Sequence, residues 1–365
     1  MFRDCFPARI FNPNKLTHER TDFIHVTRCK NESVTARQSR GRHSGGREAV
    51  SSVAERRPVV NVAVAVVQRA DGRVLLAERP LGKVSGGYWE FPGGKFDAGE
   101  RAEQALAREL HEEVGVELDC AHPWLIYDHA YPDKTVRLHF FRVTGWHGTP
   151  HGREGQRVSW EDPAAIGVGP LLPANDKVLE ALNPAPLYAL THATKYGVAG
   201  FMPRLERALV RGVRLIQVRE PAMAPEQFAQ FARRAVALAH RYGAQALIYG
   251  DESLARKVGG DGVHIPCHQL MHLSSRPRMR LFAASCHNAE HLAHAAALGA
   301  DFAVLSPVLP TPTHPGVSGM GWTRFASMTR DCPLPVYALG GMKPELLDTA
   351  RGHAAHGIAL LSGIW

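Results

Sequence analysis

Residues 94–116 read GKFDAGERAEQALARELHEEVGV, and this stretch decides the fold of the first half of the chain. From Glu100 to Val114 the apolar and charged positions recur with helical spacing. Gly115 follows at the position where helices commonly end in a left-handed residue. Upstream, residues 86–99 are rich in glycine. The pattern predicts a glycine-rich loop that leads into a helix over Glu100–Val114.

Three glutamates stand out on this helix. Glu109, Glu112 and Glu113 are spaced i, i+3 and i+4, so their carboxylates lie on one face and repel one another. By itself such a trio is typical of a solvated acidic surface. The absence of interspersed lysines favours a divalent cation as the missing partner, and hard oxygen ligands favour Mg²⁺, with Mn²⁺ as the alternative.

Other segments complete a first domain over residues 58–183. The β-branched run Val59–Val67, an Asp71-Gly72 turn and Arg73–Glu78 predict a β-hairpin. A further strand is expected over Val136–Thr144 and a short helix over Asn175–Leu182. The proline-containing segment 183–186 marks the predicted boundary.

Residues 187–365 alternate short apolar runs with helical patterns, including helices over Pro225–Tyr242 and Ala289–Leu298. This alternation predicts parallel βα units, and eight strands predict a TIM-type (β/α)8 barrel. The last covering helix is missing after the eighth strand, so one side of the barrel is expected to be poorly sealed. The predicted strands are Tyr188–Thr191, Leu215–Val218, Ala246–Tyr249, Gly262–Ile265, Leu281–Ser285, Phe302–Ser306, Val336–Leu339 and Ile358–Leu361.

Composition narrows the functional classes. The net charge is +8, but residues 1–58 hold twelve Lys or Arg against six Asp or Glu, which leaves about two positive charges for the rest. A nucleic-acid-binding face is therefore not expected. The six cysteines show no metal-binding spacing and predict reduced thiols. Without an apolar run of membrane length or a signal sequence, a cytoplasmic protein without a membrane partner is expected.

Residues 1–57 lack a sustained apolar period, and their composition predicts a disordered basic extension. Their arginine content is compatible with an organellar transit peptide, which Asp4, Glu19 and Asp22 disfavour. An over-extended translation start is the other alternative. The sequence leaves open whether these residues belong to the mature protein.

The spacing from Gly94 to Val116 resembles the signature of Nudix hydrolases, G-x5-E-x7-R-E-U-x-E-E-x-G-U, in which U is aliphatic. The resemblance implies an α/β/α sandwich and attack by water on a phosphorus of a diphosphate linkage. Glu112, Glu113 and the Gly93 carbonyl are the implied metal ligands, and Glu109 either binds metal or deprotonates water. Glu100 and Arg108 are implied to pair and to hold the loop against the helix.

Further segments resemble the MutT-type 8-oxo-dGTP diphosphatases: EFPGGK at residues 90–95, GREGQ at 152–156 and PAN at 173–175. The resemblance implies that Glu154 is an additional metal ligand and that Arg79, Phe91 and Asn175 bind the substrate. It also implies hydrolysis of 8-oxo-dGTP to monophosphate and pyrophosphate, with nucleotide-pool sanitation as the role. In the alternative interpretation Asn175 is a helix N-cap, Arg79 a solvated side chain and Glu154 a loop charge.

Short motifs recur at the ends of the predicted barrel strands: QVRE at residues 217–220, GDGVH at 260–264, SCH at 285–287, SPV at 306–308, TPT at 311–313, GG at 340–341 and SG at 362–363. Through these motifs the second domain is similar to thiamine phosphate synthase and its TenI-like relatives. It departs from them at Pro221, Gly250, Gln269 and His314, where the synthase has phosphate-binding or metal-binding residues, and at Pro307, where TenI has a histidine. Neither activity is therefore expected, and a binding module for a phosphorylated small molecule or a structural role remains. The resemblance implies barrel-ligand residues Gln217, Arg219, Asp251, Thr311, Thr313, Gly340, Gly341 and Ser362.

Two alternatives stay open. The fusion to this barrel also suggests that the hydrolase acts on a thiamine-pathway pyrophosphate instead of an oxidised nucleotide. His264, His287 and His314 are placed near the barrel mouth, but they lack metal-ligand spacing and are interpreted as polar loop residues.

Overall fold

The computed structural model describes residues 58–311, 316 and 318–365. The extension predicted over residues 1–57 lies outside the described residues. The first half contains β1 Val59–Val67, β2 Val74–Glu78, β3 Trp89–Glu90, β4 Gly93–Lys95, α1 Ala102–Val114, β5 Glu117–Ala130, β6 Thr135–His147, β7 Val158–Glu161, a 3-10 turn Pro173–Asn175 and α2 Asp176–Leu182.

Two sheets form the centre of this half, with strand orders β4-β1-β6-β5 and β3-β2-β7. Alternate side chains of β1 point to opposite faces. Ala63 and Ala65 pack in the cluster that includes the apolar side of α1. Val64 and Val66 pack in the cluster that includes Val178 of α2. Helices therefore cover both faces, and the predicted α/β/α sandwich is confirmed.

The predicted hairpin between β1 and β2 is wrong. The two strands lie in different sheets, and only the bridge between Gln68 and Val74 joins their ends. β1 pairs in parallel with β6 along its whole length and antiparallel with β4. Strands from distant parts of the chain therefore pair with both edges of β1. A turn motif contains only neighbouring residues, so it could not predict that these strands would pair with β1 in place of β2.

Helix α1 begins at Ala102, two residues later than predicted. The reason is that Glu100 does not join the first turn, because its carboxylate accepts hydrogen bonds from the Asp97 N–H and from Arg108. The Arg101 N–H instead donates to Oε1 of Gln104 at 3.1 Å. The helix ends as predicted at Gly115, whose φ of 69° is left-handed.

The second half forms the closed eight-stranded parallel barrel that the sequence predicts. Its strands are β8 Leu187–Leu190, β9 Leu215–Val218, β10 Gln245–Tyr249, β11 Gly262–Ile265, β12 Leu281–Cys286, β13 Phe302–Leu305, β14 Val336–Ala338 and β15 Gly357–Leu360. Its helices are α3 Ala193–Tyr196, α4 Val198–Val210, α5 Pro225–Arg241, α6 Glu252–Val258, α7 Cys267–Leu270, α8 Ala289–Ala297, α9 Gly321–Thr329 and α10 Leu347–Gly352, with a 3-10 turn at Pro344–Leu346.

The side of the barrel that was expected to be poorly sealed is packed. The Trp365 ring meets the ring of Phe201 of α4 edge-on at 4.8 Å, and its indole N–H donates to the Leu190 carbonyl. Phe201 is fully buried as a result. An aromatic side chain thus covers a surface for which the sequence pattern predicts a helix.

Two further expectations can be compared with the described residues. Cys120, Cys267, Cys286 and Cys332 are free thiols, as predicted, whereas Cys5 and Cys29 lie outside the described residues. None of the described helices is both long and apolar enough to span a membrane.

Candidate hydrolase site

A cavity of about 400 Å³ opens between the two sheets of the sandwich. The β1, β4 and β6 strands and helix α1 supply one part of its wall, and β2, β3 and the loops around them supply much of the other part. Its lining includes Arg79, Lys83, Glu90, Phe91, Gly93, Gly94, Glu109, Glu113, Gln156 and Asn175. Carboxylates therefore share one cavity with an amide and several cations.

Two glycines bring the loop close enough to helix α1 to form this wall. A Cβ on Gly94 would lie 2.1 Å from the carboxyl carbon of Glu109. Gly93 has a φ of 151°, and a Cβ there would lie 2.1 Å from the Ala63 carbonyl oxygen. Its N–H donates to Oε2 of Glu113 at 3.0 Å. A side chain at Gly94 would collide with the Glu109 carboxylate, and one at Gly93 would collide with the backbone of β1.

Arg108 joins the loop to the helix. Its guanidinium donates to Oε2 of Glu100 at 2.8 Å, to the Lys95 carbonyl at 2.9 Å and to Oε1 of Glu109 at 2.8 Å. A weaker bond of 3.3 Å reaches Glu112. Because a planar guanidinium has several donors in fixed directions, one side chain sets the loop and two helix carboxylates in register.

Glu113 is electrostatically strained. Burial raises the pKa of Glu113 to about 7, and the nearby charges of Glu90 and Glu109 act in the same direction, while the hydrogen bond from Gly93 opposes them. Burial also raises the pKa of Glu90, against the effect of Arg79. Repulsion among buried carboxylates would be relieved by a cation in this cavity.

The donor set fits a hard divalent ion, since carboxylates and the Gly93 carbonyl offer oxygen alone. As the side chains stand, the described residues contain no group of three or more His, Cys, Asp or Glu that could hold a metal ion. Arg108 contacts two of the expected ligands. It binds both Glu109 and Glu112, and the Glu112 side chain is 58% exposed, against 15% for Glu109. The expected trio is thus divided: Glu109 and Glu113 line the cavity, and Glu112 does not.

Asn175 lies at the other end of the cavity. Its residue is only 5% exposed, and its Nδ2 donates to the Trp89 carbonyl at 3.1 Å. Phe91, also buried, lines the same space. Asn175 occupies the N-cap position of α2, as the alternative interpretation had it, but its side chain makes no capping bond to the helix.

The other alternative interpretations also differ from the structure. Arg79 is not simply solvated, because its Nη1 lies 2.5 Å from Glu90 and its Nε donates to the Val84 carbonyl at 2.9 Å. Glu154 is not an isolated loop charge, since Lys83 Nζ lies 2.5 Å from its Oε2.

Sequence reasoning did not assign several polar residues that line the cavity, among them Lys83, Glu90 and Gln156. Glu90 lies inside the EFPGGK segment, so its place in that motif was an available signal. Gln156 donates from Nε2 to the Glu113 carbonyl at 2.9 Å, a contact over 43 positions that has no local signature.

The barrel mouth holds a second cavity of about 520 Å³. Gln217 and Arg219 line it, together with Tyr249, His264 and Ser285. The Arg219 guanidinium lies 4.9 Å from the centre of the Tyr249 ring. Burial lowers the pKa of His264 to about 3. Its ring nitrogens lie 3.1 Å from the Tyr188 hydroxyl and 2.8 Å from Oγ of Ser285. The interpretation of His264 as a loop residue is wrong, because it is buried within strand β11.

The remaining expected barrel residues are dispersed. Asp251 is exposed and accepts the Leu254 N–H at 2.8 Å, so it caps α6 and does not line the mouth. Gly340 and Gly341 approach the loop that contains Pro307 and Leu309, and Ser362 is exposed. Thr311 is described, whereas Thr313 and His314 lie outside the described residues.

The mouth does not fit a magnesium site. No Asp or Glu is among the described residues that line it. His287, which does line it, has its Nδ1 2.9 Å from the Ser306 carbonyl oxygen.

Comparison with known proteins assigns a family to each half. Residues 57–182 match the model described as NUDIX domain, and residues 187–364 match the model described as Thiamine monophosphate synthase. An 8-oxo-dGTP diphosphatase from Haemophilus influenzae is 39% identical over 34% of this chain and 91% of the relative. A CTP pyrophosphohydrolase from Escherichia coli is 37% identical over 34% and 90%. A thiamine-phosphate synthase from Thioalkalivibrio sulfidiphilus is 30% identical over 49% and 87%.

The chain belongs to the Nudix family through residues 57–182 and to the thiamine monophosphate synthase family through residues 187–364.

Proposed function

We propose that the sandwich hydrolyses 8-oxo-dGTP to 8-oxo-dGMP and pyrophosphate with Mg²⁺ and so removes an oxidised nucleotide from the precursor pool. The observation that carries this proposal is the buried Asn175 amide in the same cavity as Glu109 and Glu113. The name of the Haemophilus influenzae relative supports the same substrate.

The chemistry of the amide selects the base. One N–H of Asn175 is bonded to the Trp89 carbonyl, which leaves one N–H and the Oδ1 acceptor for a ligand. An 8-oxoguanine presents the O6 acceptor beside an N7–H donor, and both can be satisfied. Plain guanine has an acceptor at N7, so it would face Oδ1 without a proton between them. Leaving buried polar groups unpaired gives strong discrimination.

At the acidic end, Gly93, Glu109 and Glu113 line the cavity and would hold the metal. Glu112 and Glu154 would join them on leaving their present partners Arg108 and Lys83. When bound, the ion would neutralise charge on the phosphates and would lower the pKa of the attacking water. Glu109 would accept the proton of the water whose oxygen forms the new P–O bond, as the bridging P–O bond to the leaving group breaks. Arg108, held by Glu100, keeps Glu109 and the loop in position. Arg79 and Phe91 would contact the nucleotide from the cavity wall.

The test is a substrate panel with the full chain and Mg²⁺: 8-oxo-dGTP, dGTP, CTP, ADP-ribose and thiamine diphosphate. Phosphate and pyrophosphate are measured separately, because release of pyrophosphate together with 8-oxo-dGMP defines the cleaved bond. Rapid turnover of 8-oxo-dGTP that yields pyrophosphate supports the proposal. Preference for thiamine diphosphate would support a thiamine-pathway pyrophosphate instead.

For the barrel we propose binding of a phosphorylated small molecule without synthase chemistry. The absence of carboxylates among the described lining residues, with the Arg219 guanidinium present, supports a metal-independent anion site. Calorimetry of the full chain with thiazole phosphate tests this. Heat that is independent of Mg²⁺ supports the proposal, and no heat together with no thermal shift removes this ligand.

A further inference from the structure

An ion pair at the edge of the hydrolase cavity joins two loops. Lys83, in the loop between β2 and β3, lines the cavity together with Glu113. Glu154 lies in the loop between β6 and β7. The Lys83 Nζ and the Glu154 Oε2 are 2.5 Å apart. The proposed metal-ligand set thus has one member whose charge is already neutralised by a lysine.

The loop that carries Glu154 is fixed to the end of helix α1. The Arg153 N–H donates to the Glu113 carbonyl at 3.0 Å, and Gln156 Nε2 donates to the same oxygen at 2.9 Å. The Glu154 N–H donates to Oε1 of Gln156 at 2.8 Å. Since the backbone of Glu154 is held beside Glu113, the partner of its carboxylate is the adjustable part.

Two cations of this loop differ in how firmly they are held. Arg79 has a bond to Glu90 and a second bond to the Val84 carbonyl, and its side chain is 26% exposed. The side chains of Lys83 and Glu154 are 48% and 41% exposed, so their pair is screened by water and contributes little to stability.

We propose that Lys83 is a phosphate-binding residue that exchanges the Glu154 carboxylate for a phosphate oxygen when substrate binds, which frees Glu154 for the metal-ligand set. A lysine ammonium suits this exchange, because it is a compact charge on a flexible stem with three donors. The loop tip also carries Leu81 and Val84, which are 87% and 86% exposed, so it has few packing contacts that would oppose movement.

The exchange predicts effects of opposite sign on two ligands. Without the Lys83 charge, nothing competes with a divalent ion for the Glu154 carboxylate. The ion alone should therefore bind more tightly. A pyrophosphate group should bind less tightly, because it loses a charge-assisted hydrogen bond. A lysine that merely braces the two loops would change both affinities in the same direction or leave both unchanged.

The experiment compares the full chain with Lys83→Met, using Lys257→Met on the barrel helix α6 as the matched control. Mn²⁺ binding without phosphate is followed by electron paramagnetic resonance, and pyrophosphate binding in saturating Mg²⁺ by calorimetry. For Lys83→Met we expect Mn²⁺ affinity to rise by about threefold to tenfold and pyrophosphate affinity to fall by about tenfold. The control should match the wild type.

A second variant ties the gain to Glu154. In the Lys83→Met/Glu154→Gln double variant, the gain in Mn²⁺ affinity over Glu154→Gln alone should vanish. Unchanged pyrophosphate affinity in Lys83→Met, or Mn²⁺ affinity that does not rise, overturns the proposal. This inference rests on the proposed hydrolase site but not on the base, so a failed 8-oxo-dGTP assay leaves the pyrophosphate test interpretable.

Discussion

Nη2 of Arg142, in the sandwich, lies 3.0 Å from Nδ1 of His356, in the barrel. Nε2 of His356 is 2.7 Å from the Pro184 carbonyl oxygen, so Nε2 donates and Nδ1 accepts the Arg142 hydrogen bond. The Arg142 guanidinium also lies 4.1 Å from the centre of the Trp124 ring. Since both residues are buried, this contact requires a neutral histidine at the junction of the two domains.

The first prediction concerns pH. Burial, followed by the charge of Arg142, holds the pKa of His356 well below its usual value of 6.5, and Arg351 adds to the effect. Because the pKa of His356 is lower in the folded than in the unfolded protein, the contribution of the neutral ring to the free energy of unfolding is complete above pH 6.5. It is lost as the pH falls below that value, by at most about 1.4 kcal/mol per unit.

His356→Gln should therefore flatten the decline of the melting temperature between pH 7.5 and pH 5. His264 has a lowered pKa of the same sign, so part of the wild-type slope should remain. His272→Gln, at an exposed position, is the control and should keep the wild-type slope. Identical slopes for wild type and His356→Gln would exclude a neutral His356 at the junction.

The second prediction tests the brace at Arg108. Arg108→Lys keeps the charge but cannot reproduce the bonds to Glu100, Glu109 and the Lys95 carbonyl together. We expect a loss of about 1–3 kcal/mol in the free energy of unfolding of the sandwich and a fall in kcat. Thermal unfolding and steady-state kinetics measure these. Arg233→Lys, on the exposed side of α5, should change neither, and an Arg108→Lys variant with wild-type kcat would refute the brace.

The third prediction tests the base-reading amide. Asn175→Ala removes the remaining donor and acceptor, so the preference for 8-oxo-dGTP over dGTP should fall by about tenfold or more. Competition kinetics with both nucleotides measure the ratio directly. Asn183→Ala at an exposed position is the control. Retention of the full preference would show that another group reads the base.

The fourth prediction concerns Glu109. Glu109→Gln keeps the size of the side chain but removes the proton acceptor and one metal charge, so kcat should fall by about 10²–10⁴-fold. The exposed Glu117→Gln is the matched control and should retain activity. A kcat of Glu109→Gln near the wild-type value would show that another group accepts the proton of the attacking water.

Local patterns predicted the elements that carry a clear periodicity within their own segment. The α1 helix and the eight barrel strands follow from periodicity within each segment. The long strand β5, Glu117–Ala130, escaped prediction because Pro123 and the register shifts near Cys120 and Leu125 interrupt its alternation. β7 was also missed, and only its pairing with β2 defines it.

The candidate site likewise contains residues that sequence spacing predicted and contacts that it could not predict. Spacing on one helix placed Glu109 and Glu113 together, but the turn of Glu112 toward Arg108 depends on competition for one guanidinium. In the barrel, the Asp251 carboxylate accepts a hydrogen bond from the Leu254 N–H and caps α6 instead of facing a ligand in the mouth. Lys83 meets Glu154 across 71 positions, and no sequence period reports such a contact.

The most direct measurement is the ratio of kcat/KM for 8-oxo-dGTP to that for dGTP, determined with the full chain and Mg²⁺. An amide with one free donor and one free acceptor in a buried site predicts a ratio of at least about 100. A ratio near one, or a larger kcat/KM for thiamine diphosphate than for 8-oxo-dGTP, would contradict the proposed function.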